Sequence, residues 1–159
     1  MQNNIWFKVI PGAGWADNPF LVETLCQAKA IAYWPKPYYC YREETPEKAA
    51  ALAKRDPLMP FNRWNDMVDI LERLNVTDPA VWTPQITRGF TYMGIMIEHT
   101  GIDGHPEIER AIHKMFERMP QELVFANPRV TPAAKRLYAE YMGIANPKIS
   151  YCAYAKDLV

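Results

Sequence analysis

The sequence predicts an α+β protein that is mostly α-helical, with its β-structure confined to residues 1–44. In that stretch, aromatic residues cluster on both sides of one short helical segment. From Thr45 onward, apolar residues instead recur at helical spacing, in segments that begin with proline signals. Hydrophobic residues make up 49% of the 159 positions, which is enough to bury a core. We therefore divide the chain into an N-terminal part, residues 1–44, and a helical C-terminal region, residues 45–159.

The N-terminal part is predicted to hold one helix between extended segments. Pro19 is of the type favoured in the first turn of a helix. After it, Leu21, Leu25 and Ala28 recur at helical spacing on one face. Pro35 and Pro37 cannot donate ladder hydrogen bonds, so both are placed in a connection between two strands. The prediction in order is a first strand at 5–11, a helix at 18–28, and an aromatic-rich strand pair at 31–34 and 38–42.

The C-terminal region is predicted to be a helical bundle. Thr45 and Pro46 form a good start signal, and the strongest apolar stripes follow further along, around Trp64 and Met93. The predicted helices are 46–54, 61–74, 82–100, 106–118 and 132–143, with an anchored loop at 123–125 and a tail at 149–154.

Charge balance bears on the kind of partner, and cysteine content bears on the compartment. Lys+Arg and Asp+Glu balance at 18 each, which gives no electrostatic reason to expect a nucleic-acid or anionic-membrane partner. Cys26, Cys40 and Cys152 are odd in number and widely spaced, as free thiols of a reducing compartment would be. No stretch is long enough for a transmembrane segment, and the first residues lack signal-peptide character. We expect a cytoplasmic protein.

Residues 12–42 carry a series of short motifs in a fixed order: Gly-x-Gly-Trp-x-Asp, a short helix, Ala-Lys-x-Ile-x-Tyr-Trp, Pro-x-Pro and Tyr-Tyr-x-Tyr-Arg. Together they resemble the second half of the catalytic domain of bacterial family-2 (GT-A type) glycosyltransferases, over about residues 4–44. The resemblance implies that the helix and strand pair are the remnant of a GT-A α/β domain. It also implies that the chain is the C-terminal part of such an enzyme.

An intact enzyme of that family would transfer a sugar from a nucleotide-sugar donor to a glycan or lipid-linked acceptor. It would use a divalent metal held by an Asp-x-Asp motif in a nucleotide-binding half. No Asp-x-Asp occurs in this chain. We therefore expect no cofactor and no metal site in this part, and no transfer by this part alone.

The resemblance places three candidate site residues. Asp17 would be the general base that takes the proton from the acceptor hydroxyl; its other interpretation is a cap on the helix that starts there. Trp15 would stack on an acceptor sugar, or else steady the glycine turn from the core. Arg42 would bind a donor or acceptor phosphate, or else pair with a neighbouring carboxylate. Glu23 is expected to be a solvated helix residue.

A second hypothesis is a non-catalytic interaction or assembly module, in which the stripes at 61–74 and 82–100 bind partners. The two hypotheses differ in what they leave uncovered. Part of an enzyme should expose strands and an apolar helix face that the other half covers, whereas an autonomous module should be self-contained. Exposed strand edges would also pair with a second copy, so we expect a homodimer through residues 4–42.

Overall fold

The computed structural model describes residues 4–9, 15–37, 39–40 and 56–149. Within these ranges the chain forms the helices α1 (Asp17–Gln27), α2 (Met59–Arg73), α3 (Pro79–Thr100), α4 (Pro106–Glu117), α5 (Gln121–Ala126) and α6 (Pro132–Tyr141). The prediction of a mostly α-helical protein is confirmed. None of these helices is both long enough and apolar enough to cross a membrane.

The predicted strand pair is not seen among the described residues. Residues 28–37 form no strand and are exposed throughout. Residues 5–9 do not form the expected first strand either. A strand needs a neighbouring backbone to complete its hydrogen bonds, and the described residues supply none here. The glycine turn at 12–14, most of the second strand at 38–42, the helix at 46–54, the boundary at 44/45 and residues 150–154 lie outside the described residues.

Local start signals explain where the larger helices begin. Asp78 accepts a hydrogen bond from the backbone nitrogen of Ala80 at 2.8 Å, and Thr131 Oγ1 accepts one from the nitrogen of Ala134 at 3.1 Å. Proline follows directly in each case, where its missing N–H costs nothing. Helix α3 therefore starts at Pro79, three residues before the predicted position.

The predicted loop at 123–125 is wrong, because this stretch is helical and belongs to α5. Helix α5 follows Pro120 and carries Glu122 in its first turn. Its end is held by Asn127, whose Nδ2 donates to Thr83 O and to Thr87 Oγ1, both at 3.0 Å. A six-residue helix is too short to show helical periodicity in the sequence.

Helix α2 lies at the centre of the core, where it packs against α1, α3 and α4. Gly89 allows α3 to pack closely against the side chains of Trp64 and Met119. A Cβ at this position would lie 2.9 Å from Trp64 Nε1 and 2.5 Å from Met119 Cε. Trp64 is fully buried, and its Nε1 donates to Gln85 O at 2.8 Å. The other fully buried large side chains are Phe61, Met67, Val68, Leu71, Ile86, Ile108, Ile112, Met115, Phe116 and Val124, with Tyr138 nearly so.

Candidate functional site

Asp17 is the first residue of α1, and its side chain is exposed. The N-cap position belongs to Ala16, and no side chain makes a capping hydrogen bond. The capping interpretation of Asp17 is therefore not seen in the structure. A carboxylate in the first turn is still favoured by the positive end of the helix dipole. Its exposure leaves it accessible to a proton donor.

The turn that precedes α1 is attached to the middle of α3 by Tyr92. The rings of Trp15 and Tyr92 stack with centroids 4.9 Å apart and planes 13° apart. On the other side of Asp17, Asn18 Nδ2 donates to Tyr92 Oη at 2.7 Å. One face of Trp15 is thus covered by protein, as the packing interpretation requires. Tyr92 itself is buried.

Electrostatics link the same groups. Burial raises the pKa of the Tyr92 phenol, while the positive charge of Arg88 lowers it and the negative charge of Asp17 raises it. Arg88 lies one turn before Tyr92 on α3, and its Nη1 lies 3.3 Å from Met67 Sδ. The candidate site is therefore a small group built from two parts of the chain: Trp15, Asp17 and Asn18 with Arg88 and Tyr92.

Sequence reasoning missed Tyr92, because nothing in its local sequence links it to a residue 74 positions earlier. One signal was available. A tyrosine among the apolar residues of an amphipathic helix needs a hydrogen-bond partner for its hydroxyl. That partner is Asn18.

The other end of α1 is held by an ion pair. Glu23 Oε1 lies 2.6 Å from Arg73 Nη2 of α2 and also accepts from Gln27 Nε2 at 3.1 Å. The prediction that Glu23 is a solvated helix residue is wrong, since its side chain is only 18% exposed. The sequence did not reveal this pair because its partner is 50 residues away.

The segment before the turn is also attached. The rings of Phe7 and Phe20 stack with centroids 3.9 Å apart, and Lys8 pairs with Asp66 of α2. Asp66 in turn lies 3.0 Å from Arg63, which is buried. Helix α1 is thus held to the helical region at several points along its length.

The three candidate site residues have different outcomes. Trp15 and Asp17 lie together at the start of α1, next to Tyr92. Arg42 lies outside the described residues, so its role stays a prediction. Among the described residues, no three His, Cys, Asp or Glu side chains come together as metal ligands. They therefore offer no ligand set for the divalent metal that the family resemblance implies.

Two cavities in the described part of the chain lie elsewhere. One of about 380 Å³ lies between the start of α3 and the loop at 128–129, and another of about 530 Å³ lies between α4 and α6. The first is lined mainly by proline, alanine and threonine, the second by Glu109, Arg110, His113 and Glu140 among others. Neither contains a candidate site residue.

Large exposed hydrophobic side chains are confined to one region. In the described part of the chain, none lies within 56–149. We call the set the N-terminal apolar surface: Trp6, Phe7, Val9, Leu21, Leu25, Ile31, Tyr33, Trp34 and Tyr39. Exposed large apolar side chains, where they form one patch, are typical of interaction sites.

Helix α1 contributes to this surface in an unexpected way. The sequence predicts Leu21, Leu25 and Ala28 as its apolar face, but all three are exposed. The buried residues are Pro19 and Val22, on the side that faces the helical region. Helix α1 therefore has two apolar faces, of which one is covered. A helix that is apolar on both sides is typical of one packed between two layers.

Comparison of the chain with protein-family models, with curated proteins and with solved structures finds no match.

Proposed function

We propose that the chain is the acceptor-side, C-terminal part of a family-2-like glycosyltransferase. The intact enzyme transfers a sugar from a nucleotide-sugar donor to a glycan or lipid-linked acceptor. The motifs within residues 12–42 suggest the family, and one structural observation supports the proposal most. This observation is the second apolar face of α1, with Leu21 and Leu25 exposed in the same part of the chain as the exposed Trp6, Phe7 and Trp34. The nucleotide-binding half of a catalytic domain would cover such a face.

The helical region favours this proposal over an assembly module built on its apolar stripes. The stripe residues of α2 and α3, such as Trp64, Met67 and Ile86, are fully buried inside the chain. They therefore have no free face with which to bind a partner. The uncovered apolar surface lies instead in the segment that carries the glycosyltransferase-like motifs.

In the proposed reaction, the Asp17 carboxylate takes the proton from the acceptor hydroxyl. The acceptor oxygen forms a bond to the anomeric carbon of the donor sugar, and the nucleoside diphosphate leaves with the electron pair of the broken bond. Asp17 suits this role because its side chain is exposed at a helix start. Trp15 would shape the acceptor side, and Arg42 would bind a phosphate group of the donor or the acceptor.

The first experiment isolates the native protein with antibodies raised against residues 56–149 and determines its intact mass. We expect a product, or a complex, that also carries a nucleotide-binding half. That form is then assayed for sugar transfer from a panel of nucleotide-sugars. Native protein that consists of these 159 residues without a partner, and that transfers no sugar, would overturn the proposal.

A matched pair of variants tests the catalytic residue in the form that transfers sugar. Asp17→Asn should lower kcat by about 100-fold or more, the usual contribution of a general base. Asp103→Asn is the control, since Asp103 is an exposed carboxylate in the turn before α4. Equal activity of the two variants would rule out Asp17 as the base.

The homodimer expected through residues 4–42 stays a prediction. Light scattering on the 159-residue chain tests it, because the N-terminal apolar surface is uncovered in that form. A monomer at all concentrations would contradict it.

A further inference from the structure

We propose that Tyr92, contributed by the helical region, is a positioning residue that fixes the Asp17 carboxylate at the start of α1. This inference rests on the proposed function, because it names a further residue of the same site. It also gives the helical region a role in the reaction, although that region lies outside the motifs that resemble the glycosyltransferases. The inference stands on the two contacts that Tyr92 makes around Asp17 and on the backbone conformation of the turn.

The two contacts of Tyr92 reach residues on both sides of Asp17 in the chain. The ring stacks on Trp15 at 4.9 Å, and the hydroxyl accepts from Asn18 Nδ2 at 2.7 Å. Two contacts of different kinds restrain both the distance and the rotation of the turn. The backbone of Asp17, which lies between these two restrained residues, is therefore held in place, and it sets the point from which the carboxylate projects.

The backbone of the turn needs this support. Trp15 has a φ of 52°, in the left-handed region that a bulky residue rarely adopts. The turn is closed by a hydrogen bond from Asn18 N to Trp15 O at 3.2 Å. Such a conformation persists where its surroundings hold it, and strained backbone is often found at functional sites. Tyr92 is the side chain that stacks on Trp15 here.

The charges around Tyr92 fit a positioning role. Tyr92 is buried on α3, with Arg88 one turn before it. The phenol is influenced by both the Arg88 cation and the Asp17 carboxylate, which act on its pKa in opposite directions. A neutral, hydrogen-bonded group in this place can hold the turn without neutralising Asp17.

The closing experiment compares Tyr92→Phe and Tyr92→Leu with Tyr138→Phe. Tyr138 is the matched control, because it is also buried and its hydroxyl donates to Met119 O at 3.2 Å, away from the site. Hydrogen exchange of the α1 backbone amides is measured first on the 159-residue chain. We expect exchange about two- to tenfold faster in Tyr92→Phe, the usual effect of one lost hydrogen bond, and faster still in Tyr92→Leu. Tyr138→Phe should leave α1 unchanged.

The second readout is sugar transfer by the native form of the enzyme. Tyr92→Phe should lower kcat about tenfold and leave KM for the donor unchanged, because a misplaced base slows the chemical step only. Tyr138→Phe should leave both kcat and KM unchanged. A purely structural role would move both tyrosine variants alike, and this result would overturn the inference.

The two proposals fail in different ways. Unchanged α1 exchange in Tyr92→Leu would overturn the positioning role, whatever the wild-type enzyme transfers. Faster exchange with unaltered kcat would overturn it as well. Absence of transfer by the wild-type native form would instead overturn the proposed function, and with it the catalytic meaning of the Tyr92 contacts.

Discussion

The described residues of the N-terminal part (4–9, 15–37 and 39–40) and those of the helical region (56–149) use the same kinds of residue in opposite ways. Trp64 of the helical region is 0% exposed and donates its N–H to a backbone oxygen, whereas Trp6 is 80% exposed and Trp34 is 65% exposed. Large apolar side chains are favoured in a protein interior because their burial removes apolar surface from water. The difference therefore shows where the chain supplies its own packing partners and where it does not.

Helix α1 lies at the border between the two regions. Its Val22 side packs on the helical region, and its Leu21 and Leu25 side remains exposed. Burying a leucine side chain fully is worth roughly 1.5–3 kcal/mol. Because Leu21 and Leu25 are each 48% exposed, covering both would gain about as much as burying one leucine fully. The covered side attaches α1 to the helical region, and the exposed side is the surface that the proposed nucleotide-binding half would cover.

The sharpest test of this comparison substitutes one tryptophan in each region. Trp64→Ala should lower the free energy of unfolding by about 3–5 kcal/mol, because it leaves a cavity in the core and removes a buried hydrogen bond. Trp34→Ala should change it by less than about 0.5 kcal/mol, as at most exposed sites. Urea denaturation followed by circular dichroism measures both. Equal losses would mean that residues 4–40 belong to the same cooperative core.

The second prediction concerns two glycines of α3. Gly89→Ala should destabilise the protein by about 1–3 kcal/mol, because the added methyl meets Met119 Cε at 2.5 Å and Trp64 Nε1 at 2.9 Å. Gly94→Ala should stabilise it by up to about 1 kcal/mol, because no atom lies within 4 Å of the new methyl and alanine favours helix. Thermal and urea unfolding of the two variants measure the difference. Stabilisation by both substitutions would contradict the close packing of α3 on Trp64.

The third prediction compares an ion-pair cluster inside the helical region with the pair at the border. Arg118 donates to Asn65, Asp69 and Glu72 at 3.0, 2.7 and 2.9 Å, so Arg118→Ala should cost about 1 kcal/mol. Among the described residues, Arg73 pairs with Glu23 alone and is 54% exposed, so Arg73→Ala should cost about half of that or less. Both losses should shrink in high salt. A larger loss for Arg73→Ala would mean that α1 is held to α2 mainly by this pair.

The helices of the bundle could be predicted because their signals are local. The predicted segments 106–118 and 61–74 correspond to α4 and α2, where a proline-containing start precedes a regular apolar stripe. The same signals predicted α6 from Thr131 onward. Each of these helices has one strongly apolar face, which leaves no choice of the side that it buries.

The features that were missed depend on residues far apart in the chain. The buried side of α1 could not be chosen from a sequence that is apolar on both sides. The strand pair was predicted from aromatic-rich segments and from the family resemblance, but a strand forms only with a partner. The pairing of Glu23 with Arg73 and the stacking of Tyr92 on Trp15 are tertiary contacts that local patterns do not encode.

The last and smallest effect is a pH dependence that belongs to the helical region. Burial raises the pKa of Tyr92, Tyr138 and Tyr141 above the ordinary value of 10.0. Above pH 10 the unfolded chain therefore releases these protons first. The stability that the protonated phenols contribute is complete below pH 10 and is lost as the pH rises through the raised values.

Tyr138→Phe tests this, since its hydroxyl must stay protonated to donate to Met119 O. Unfolding free energies from urea titrations at pH 8, 10 and 11 should fall less steeply for the variant than for the wild type. Below pH 8 the Tyr138 phenol is protonated in both the folded and the unfolded wild-type chain. The unfolding free energies of wild type and variant should therefore differ there by a constant amount. A parallel decline up to pH 11 would mean that the Tyr138 phenol ionises freely in the folded protein. The T-shaped contacts of Tyr138 with Phe116 and Phe125 would then have to open readily. The packing contrast between the helical region and residues 4–40 would be weaker than the burial of Tyr138 indicates.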